Sequence, residues 1–257
     1  MSHRHLPEIS RGILLAVLLA AVSALPGFAL SKSFSQTVPL QPGGSFELQN
    51  VNGTVELQGW DRDEIEIHAV KTAKEKESDL DRVTIDVSAR PNAVSVTTRY
   101  PQNEGVEVVV EYTVHVPRNA RVERLATVNG TLRVSSLENV GDLRTVNGNI
   151  EAYETGGAVA AHVTNGNVHL ELTHLREQGA TIAETTNGSV LLALPVSTQA
   201  DLEARCLNGS FSSELPVSVE STLQPREVRG KLGRGGAPIR LRTVNGGIQI
   251  AILRSTV

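Results

Sequence analysis

The sequence predicts an all-β fold made of a stacked repeat, and three observations predict it. The dipeptide Asn-Gly recurs, with its asparagine at 52, 129, 147, 165, 187, 208 and 245. Successive spacings of 77, 18, 18, 22, 21 and 37 residues point to a unit of about 20, in the size range of known repeat architectures. Residues on both sides of each asparagine alternate between apolar and polar, the period of a strand with one buried face. The same four residues, Thr-Val-Asn-Gly, are written at 127–130, 145–148 and 243–246.

Along the chain, residues 1–29 read as a secretory leader rather than as part of the fold. Arg4 and Arg11 precede an apolar run from Ile13 to Ala24, Pro26 ends it, and Gly27-Phe28-Ala29 supplies small residues for cleavage after Ala29. The alternative is an uncleaved anchor, for which the apolar stretch is at the short limit. Residues 30–257 are then one β-repeat domain, with a longer-stranded part at 30–120 and regular Asn-Gly repeats at 121–257. In the first part, Phe46–Leu57 surrounds the first Asn-Gly, and Glu64–His68, Thr84–Val87 and Val94–Thr98 read as strands. Val106–Val116 places Val106, Val108, Val110, Tyr112, Val114 and Val116 on one face. Between them the charged stretch Lys71–Asp81 reads as a solvated surface helix or loop, because its charges are mixed in sign.

Aligned on the asparagine, the repeats form columns. Four residues earlier stand Leu48, Leu125, Leu143, Ala161, Ala183, Ala204 and Leu241. Two residues earlier stand Asn50, Thr127, Thr145, Val163, Thr185, Cys206 and Thr243. Three residues later come Val55, Leu132, Ile150, Val168, Val190, Phe211 and Ile248, and five later Leu57, Val134, Ala152, Leu170, Leu192, Ser213 and Ile250. Two architectures satisfy these columns. In an antiparallel meander, each Asn-Gly closes a two-residue hairpin and the apolar columns face each other across it. In a β-solenoid, each unit is one coil, Asn-Gly marks the same corner every time, and like residues stack at the strand spacing. Constant unit length and constant residue type per column favour the solenoid. The corner residues are then Asn52-Gly53, Asn129-Gly130, Asn147-Gly148, Asn165-Gly166, Asn187-Gly188, Asn208-Gly209 and Asn245-Gly246. Their asparagines are expected to stack, their glycines to permit the turn, and the threonine and valine of Thr-Val-Asn-Gly to fill inward columns. The spacings of 37 and 77 approximate two and four units, so the period is expected to run through the whole exported chain. The last strand, around Ile250–Leu253, is apolar on both faces and is expected to be capped or to mediate self-association through a terminal coil.

Composition narrows the function. A net charge of −4, about −5 without the leader, and 3% aromatic residues argue against nucleic acid as a partner. A single cysteine, Cys206, precludes an intramolecular disulfide, and its place in the threonine column marks it as structural. No nucleophile elbow, metalloprotease helix or phosphate-binding loop is present. "GRGGAPI" at 233–239 is a turn followed by a strand, not a phosphate cradle. His162 and His169 occupy polar columns and read as exposed neighbours without a third ligand at zinc spacing, and His174 points to the opposite face from His169. "DRDE" at 61–64 is a strand-entry turn, since it lacks the acidic alternation of a calcium loop. No catalytic, cofactor-binding or metal-binding residues are therefore assigned.

Gly43–Lys71, Val110–Ala120, the Asn-Gly repeats and Gly235–Ile250 together resemble the bacterial putative-adhesin β-strand-repeat domain family, whose function is unknown. The resemblance covers nearly the whole chain after the leader. It implies an exported protein with a right-handed, β-helix-like fold and no established catalytic residues. The expected function is a non-enzymatic, periplasmic or extracellular adhesin-like scaffold for an envelope component or another protein. The alternatives are a polysaccharide-active β-helix enzyme and a regulatory module of an envelope-stress system.

Overall fold

The structure, a computed structural model, describes residues 30–102, 105–224 and 227–254; the expected leader at 1–29 lies outside them. The N-terminal part holds β1 (Leu30–Pro39), β2 (Ser45–Gln49), β3 (Val55–Trp60), β4 (Glu64–Ala73), the short helix α1 (Ser78–Arg82), β5 (Thr84–Arg90), β6 (Ala93–Arg99) and β7 (Val108–Pro117). The repeats follow as β8 (Arg121–Ala126), β9 (Leu132–Ser135), β10 (Asn139–Asn147), β11 (Ile150–Gly157), β12 (Ala160–Asn165), β13 (Val168–Leu175), β14 (Thr181–Asn187) and β15 (Val190–Leu194). The C-terminal part comprises β16 (Ala200–Asn208), β17 (Phe211–Ser213), β18 (Val217–Gln224), β19 (Glu227–Leu232), β20 (Ala237–Asn245) and β21 (Ile248–Ile252).

These strands form two large sheets. The ten-stranded sheet runs β1-β4-β7-β3-β9-β11-β13-β15-β21-β17, and the eleven-stranded one runs β18-β19-β16-β20-β14-β12-β10-β8-β2-β6-β5. Each Asn-Gly carries the chain from the second sheet into the first, so a strand pair such as β10–β11 is one coil and stacks in parallel on β12–β13. This is a β-solenoid, and the hairpin meander is ruled out. A type I′ hairpin turn needs a positive φ at both central residues. Among the described residues the only non-glycine positions with positive φ are Ser136 and Glu154, so no corner asparagine has one.

The columns read from the sequence become the inner faces. Leu48, Leu125, Leu143, Ala161 and Ala183 lie side by side in the second sheet, and Val55, Leu132, Ile150, Val168 and Val190 in the first. All ten are buried in one continuous core. Strand alternation alone explains this: residues two apart share a face, and burial of that face is the main stabilising term.

Three expectations need correction. The valine of Thr-Val-Asn-Gly faces outward, not inward: Val128 is 39% and Val146 40% exposed. One residue before the asparagine is the opposite strand face from the threonine two before it, so both could not be buried. The period also does not run unbroken through the long gaps: antiparallel strands interrupt it, although one coil there lacks Asn-Gly as expected. Between Asn52 and Asn129 the chain adds β4, antiparallel to β1 and β7, and β5, antiparallel to β6. Strands β6 and β7 stack in parallel on β2 and β3 as a coil without Asn-Gly, and β8–β9 then stacks on the other side of β2–β3. Between Asn208 and Asn245 it makes the antiparallel strands β18 and β19, then inserts β20–β21 between the β14–β15 and β16–β17 coils. The last strand is therefore not at an edge: β21 pairs with β15 on one side and β17 on the other.

The charged stretch is likewise more than a solvated connection. Ser78–Arg82 does form a helix, but Lys71 is a buried β4 residue that donates to the Val83 carbonyl at 2.8 Å and to that of Leu80. Burial pushes its ammonium below the ordinary lysine range, with neighbouring Lys32 acting in the same direction.

Candidate functional site: corner ladders and outer faces

The corners are built by three stacked columns. In the order 52, 129, 147, 165, 187, 245, 208, each asparagine after the first donates its side-chain amide to the amide oxygen of the one before it, at 2.7–2.9 Å. Such amide ladders satisfy both side-chain groups along a stack of parallel strands. The inward threonines tie each corner to its neighbour: Thr145 donates to the Gly130 carbonyl at 2.9 Å, Thr185 to Gly166 and Thr243 to Gly188 at 2.8 Å. Asn50 takes the threonine's place in the first coil, where its longer amide reaches the Val110 carbonyl of β7 at 2.8 Å. Cys206 occupies the same column, is buried, and points its thiol at the Ser210 carbonyl 3.6 Å away; burial raises its pKa. The third column lies just past the glycine, where Asn149 accepts from Asn167 N and Asn167 from Ser189 N, both at 2.9 Å.

These ladders hold two outward faces in fixed rows. On the eleven-stranded sheet, Arg144, His162, Glu184 and Arg242 come from four adjacent strands, with Val146, Thr164, Thr186 and Val244 beside them, around a shallow groove of about 440 Å³. His162 Nδ1 lies 3.3 Å from Glu184, and Arg144 reaches Asp142 at 2.8 Å. Further along, Arg205 and Arg229 bracket Glu227 at 2.9 and 2.7 Å. Exposed pairs of this kind add little stability, so their rows matter mainly as a surface.

On the ten-stranded sheet a second groove, about 410 Å³, is lined by Glu151, Tyr153, His169 and Leu191 among others. His169 has both ring nitrogens engaged, Nε2 at 3.2 Å from Glu171 and Nδ1 at 3.5 Å from the Tyr153 hydroxyl. Burial first, then the nearby Glu151 and Glu171, pushes the Tyr153 phenol up, so it stays protonated at neutral pH. His162 and His169 are thus not neighbours, as column counting suggested. They follow one another around a corner and emerge on the outer faces of different sheets.

Other sequence landmarks fall at turns. Asp61–Asp63 joins β3 to β4, with Asp61 paired to Arg118 at 2.8 Å. There Trp60 stacks on His115 at 5.1 Å and carries Arg62 over its ring at 4.7 Å. Gly233–Gly236 joins β19 to β20. Among the described residues no group of three histidine, cysteine or acidic side chains is arranged to hold a metal, and no helix is long and apolar enough to cross a membrane. The outer-face rows were missed as sites in the sequence, although strand alternation and the column alignment already assigned each member to an outward position.

Comparison with known proteins supports the architecture. Residues 123–251 match the family described as Toastrack DUF4097. No curated protein matches the chain. A putative cell adhesion protein from Clostridium sporogenes superposes with a TM-score of 0.51 at 12% identity, over 86% of this chain and 100% of that one. A putative adhesin from Bacteroides fragilis gives a TM-score of 0.30 at 10% identity, over 85% and 97% of the two chains. A putative lipid binding protein from Parabacteroides distasonis gives 0.31 at 8%, over 87% and 95%. At these identities the first likeness speaks to the fold alone, and the other two carry no argument.

Proposed function

Because the chain belongs to the Toastrack DUF4097 family, we propose that it is an exported, non-enzymatic, adhesin-like scaffold that presents its eleven-stranded sheet to a component of the cell envelope. One observation carries this reading: the groove containing Arg144, His162, Glu184 and Arg242 spans four coils whose spacing is fixed by amide and threonine ladders. A row held at strand spacing meets an extended partner with little conformational entropy left to lose. Purified residues 30–257 should sediment with isolated envelope fractions, and an Arg144→Ala/Arg242→Ala variant should lose that retention while keeping its circular dichroism. Wild-type protein that stays in the supernatant with every fraction would sink the proposal.

The Tyr153–His169–Glu171 arrangement favours a second reading, a polysaccharide-active enzyme. Glu171 beside His169 is the kind of oriented base that acid–base chemistry uses. Its test is cleavage of a polysaccharide panel that disappears in Glu171→Gln; no cleavage removes this reading and leaves the first intact.

A further inference from the structure

The insertion of β20–β21 creates a slot one strand wide in each sheet. Its walls are β14–β15 and β16–β17, and the inserted pair fills it from both sides. Asn245 bonds Asn187 at 2.7 Å and Asn208 at 2.9 Å. Ile239, Leu241, Thr243, Ile248 and Ile250 are all at most 2% exposed. This pair is joined to the preceding described chain only through 233–236, a loop that crosses the end of β16: Leu232 and Ala237 both face Ala200, on opposite sides. The loop turns through φ of +58° at Gly233, +85° at Gly235 and +149° at Gly236.

The slot is also not unique in its chemistry. Directly stacking β16 on β14 would place Ala204 on Ala183, Cys206 on the threonine column and Asn208 on Asn187, the same pairings that β20 now interrupts. In that arrangement β20–β21 is left without a place in its own chain. An element that fits between walls sharing their alanine and asparagine columns, held by a short glycine loop, is well suited to exchange between copies, where every native contact is remade and only the hinge changes.

We infer that the slot between β14–β15 and β16–β17 is a strand-acceptor site for β20–β21 of a second copy of this chain, so that the protein self-associates by exchanging an internal coil, not by stacking its ends. This goes beyond the envelope-binding reading and does not depend on it.

Cys206 provides the test, because it faces Thr243 across the exchangeable boundary and both are buried. Two full-length copies of different size are prepared, one with the natural residues and one carrying Cys206→Ser and Thr243→Cys. Neither has thiols at both positions, so a disulfide between 206 and 243 requires strands from different chains to be adjacent. The copies are refolded together at increasing concentration and oxidised. The inference expects a mixed-chain, disulfide-linked dimer that grows with concentration and is lost when the copy with the natural residues is given Cys206→Ser. Folded copies that give no mixed-chain dimer overturn it. If the thiol variant does not fold, the wild-type chain refolded at low and high concentration decides the matter. A dimer with native circular dichroism that persists on dilution is expected, and monomer at every concentration overturns the inference.

Discussion

At each corner the glycine is the residue least open to exchange. A Cβ on Gly166 would stand 2.0 Å from the Gly148 carbonyl oxygen, at a φ of +144°. The neighbour is backbone of the adjacent coil and has nowhere to move. Gly166→Ala should therefore cost about 3 kcal/mol or more in urea unfolding, whereas Gly105→Ala, with nothing within 4 Å, should be close to neutral. The threonine column makes a prediction of opposite sign. Thr145 and Thr185 each reach the glycine carbonyl of the preceding coil, and Val163 between them has no hydroxyl to offer Gly148. Replacing a buried valine with threonine normally destabilises, because the hydroxyl is left unpaired. Here an acceptor waits in line, so Val163→Thr should gain about 1 kcal/mol. A lowered melting temperature would show that the column's hydrogen bonds are passengers of the fold.

The strands without an Asn-Gly corner are tied together differently. Tyr112 of β7 is 2% exposed and shares a 2.7 Å hydrogen bond with Thr98 of β6, joining the two sheets across the core. Burial pushes its phenol well above the unfolded value of 10.0. A raised folded-state pKa contributes stability that is complete below the unfolded value and is lost as pH climbs from there through the folded value, because in that window only the unfolded chain releases the proton. Stability should accordingly fall above pH 10. Tyr112→Phe should flatten that fall while costing about 1 kcal/mol at neutral pH, where Thr98 loses its partner. Tyr100 is also raised by burial and keeps part of the slope. An unchanged slope in the variant would assign the alkaline loss elsewhere. This tie was not legible beforehand: Val106–Val116 read plainly as a strand, yet nothing local says that it pairs antiparallel with β4 and parallel with β3. The coils were legible because corner and column residues repeat within 18 to 22 residues, so neighbours in sequence are neighbours in the stack. The same chemical sameness hid the order of the last coils. Asn245 and Asn208 present identical groups to Asn187, so the ladder itself does not say which lies nearer.

For the whole molecule, that order determines where stability resides. A solenoid is close to one-dimensional, since each coil contacts only its neighbours, so removing an end coil should leave the rest protected. In a chain whose last-numbered strands formed the end coil, deleting 237–257 would be such a loss. Here β20–β21 is an interior coil, and the deletion cuts β16–β19 away from the remainder. Hydrogen exchange should then show amides in 200–232 losing protection while those of β8–β13 keep theirs, because the latter stack on β2–β3 and on one another. Deleting β1, an edge strand whose only strand partner is β4 and which otherwise holds Asp81 of α1 through Lys32, should by contrast unprotect little beyond those neighbours. The informative failure is retained protection in 200–232 after the first deletion. That result would mean β16 has closed onto β14 with its asparagine and alanine columns in register, and that the sequence supports two stackings of the same coils.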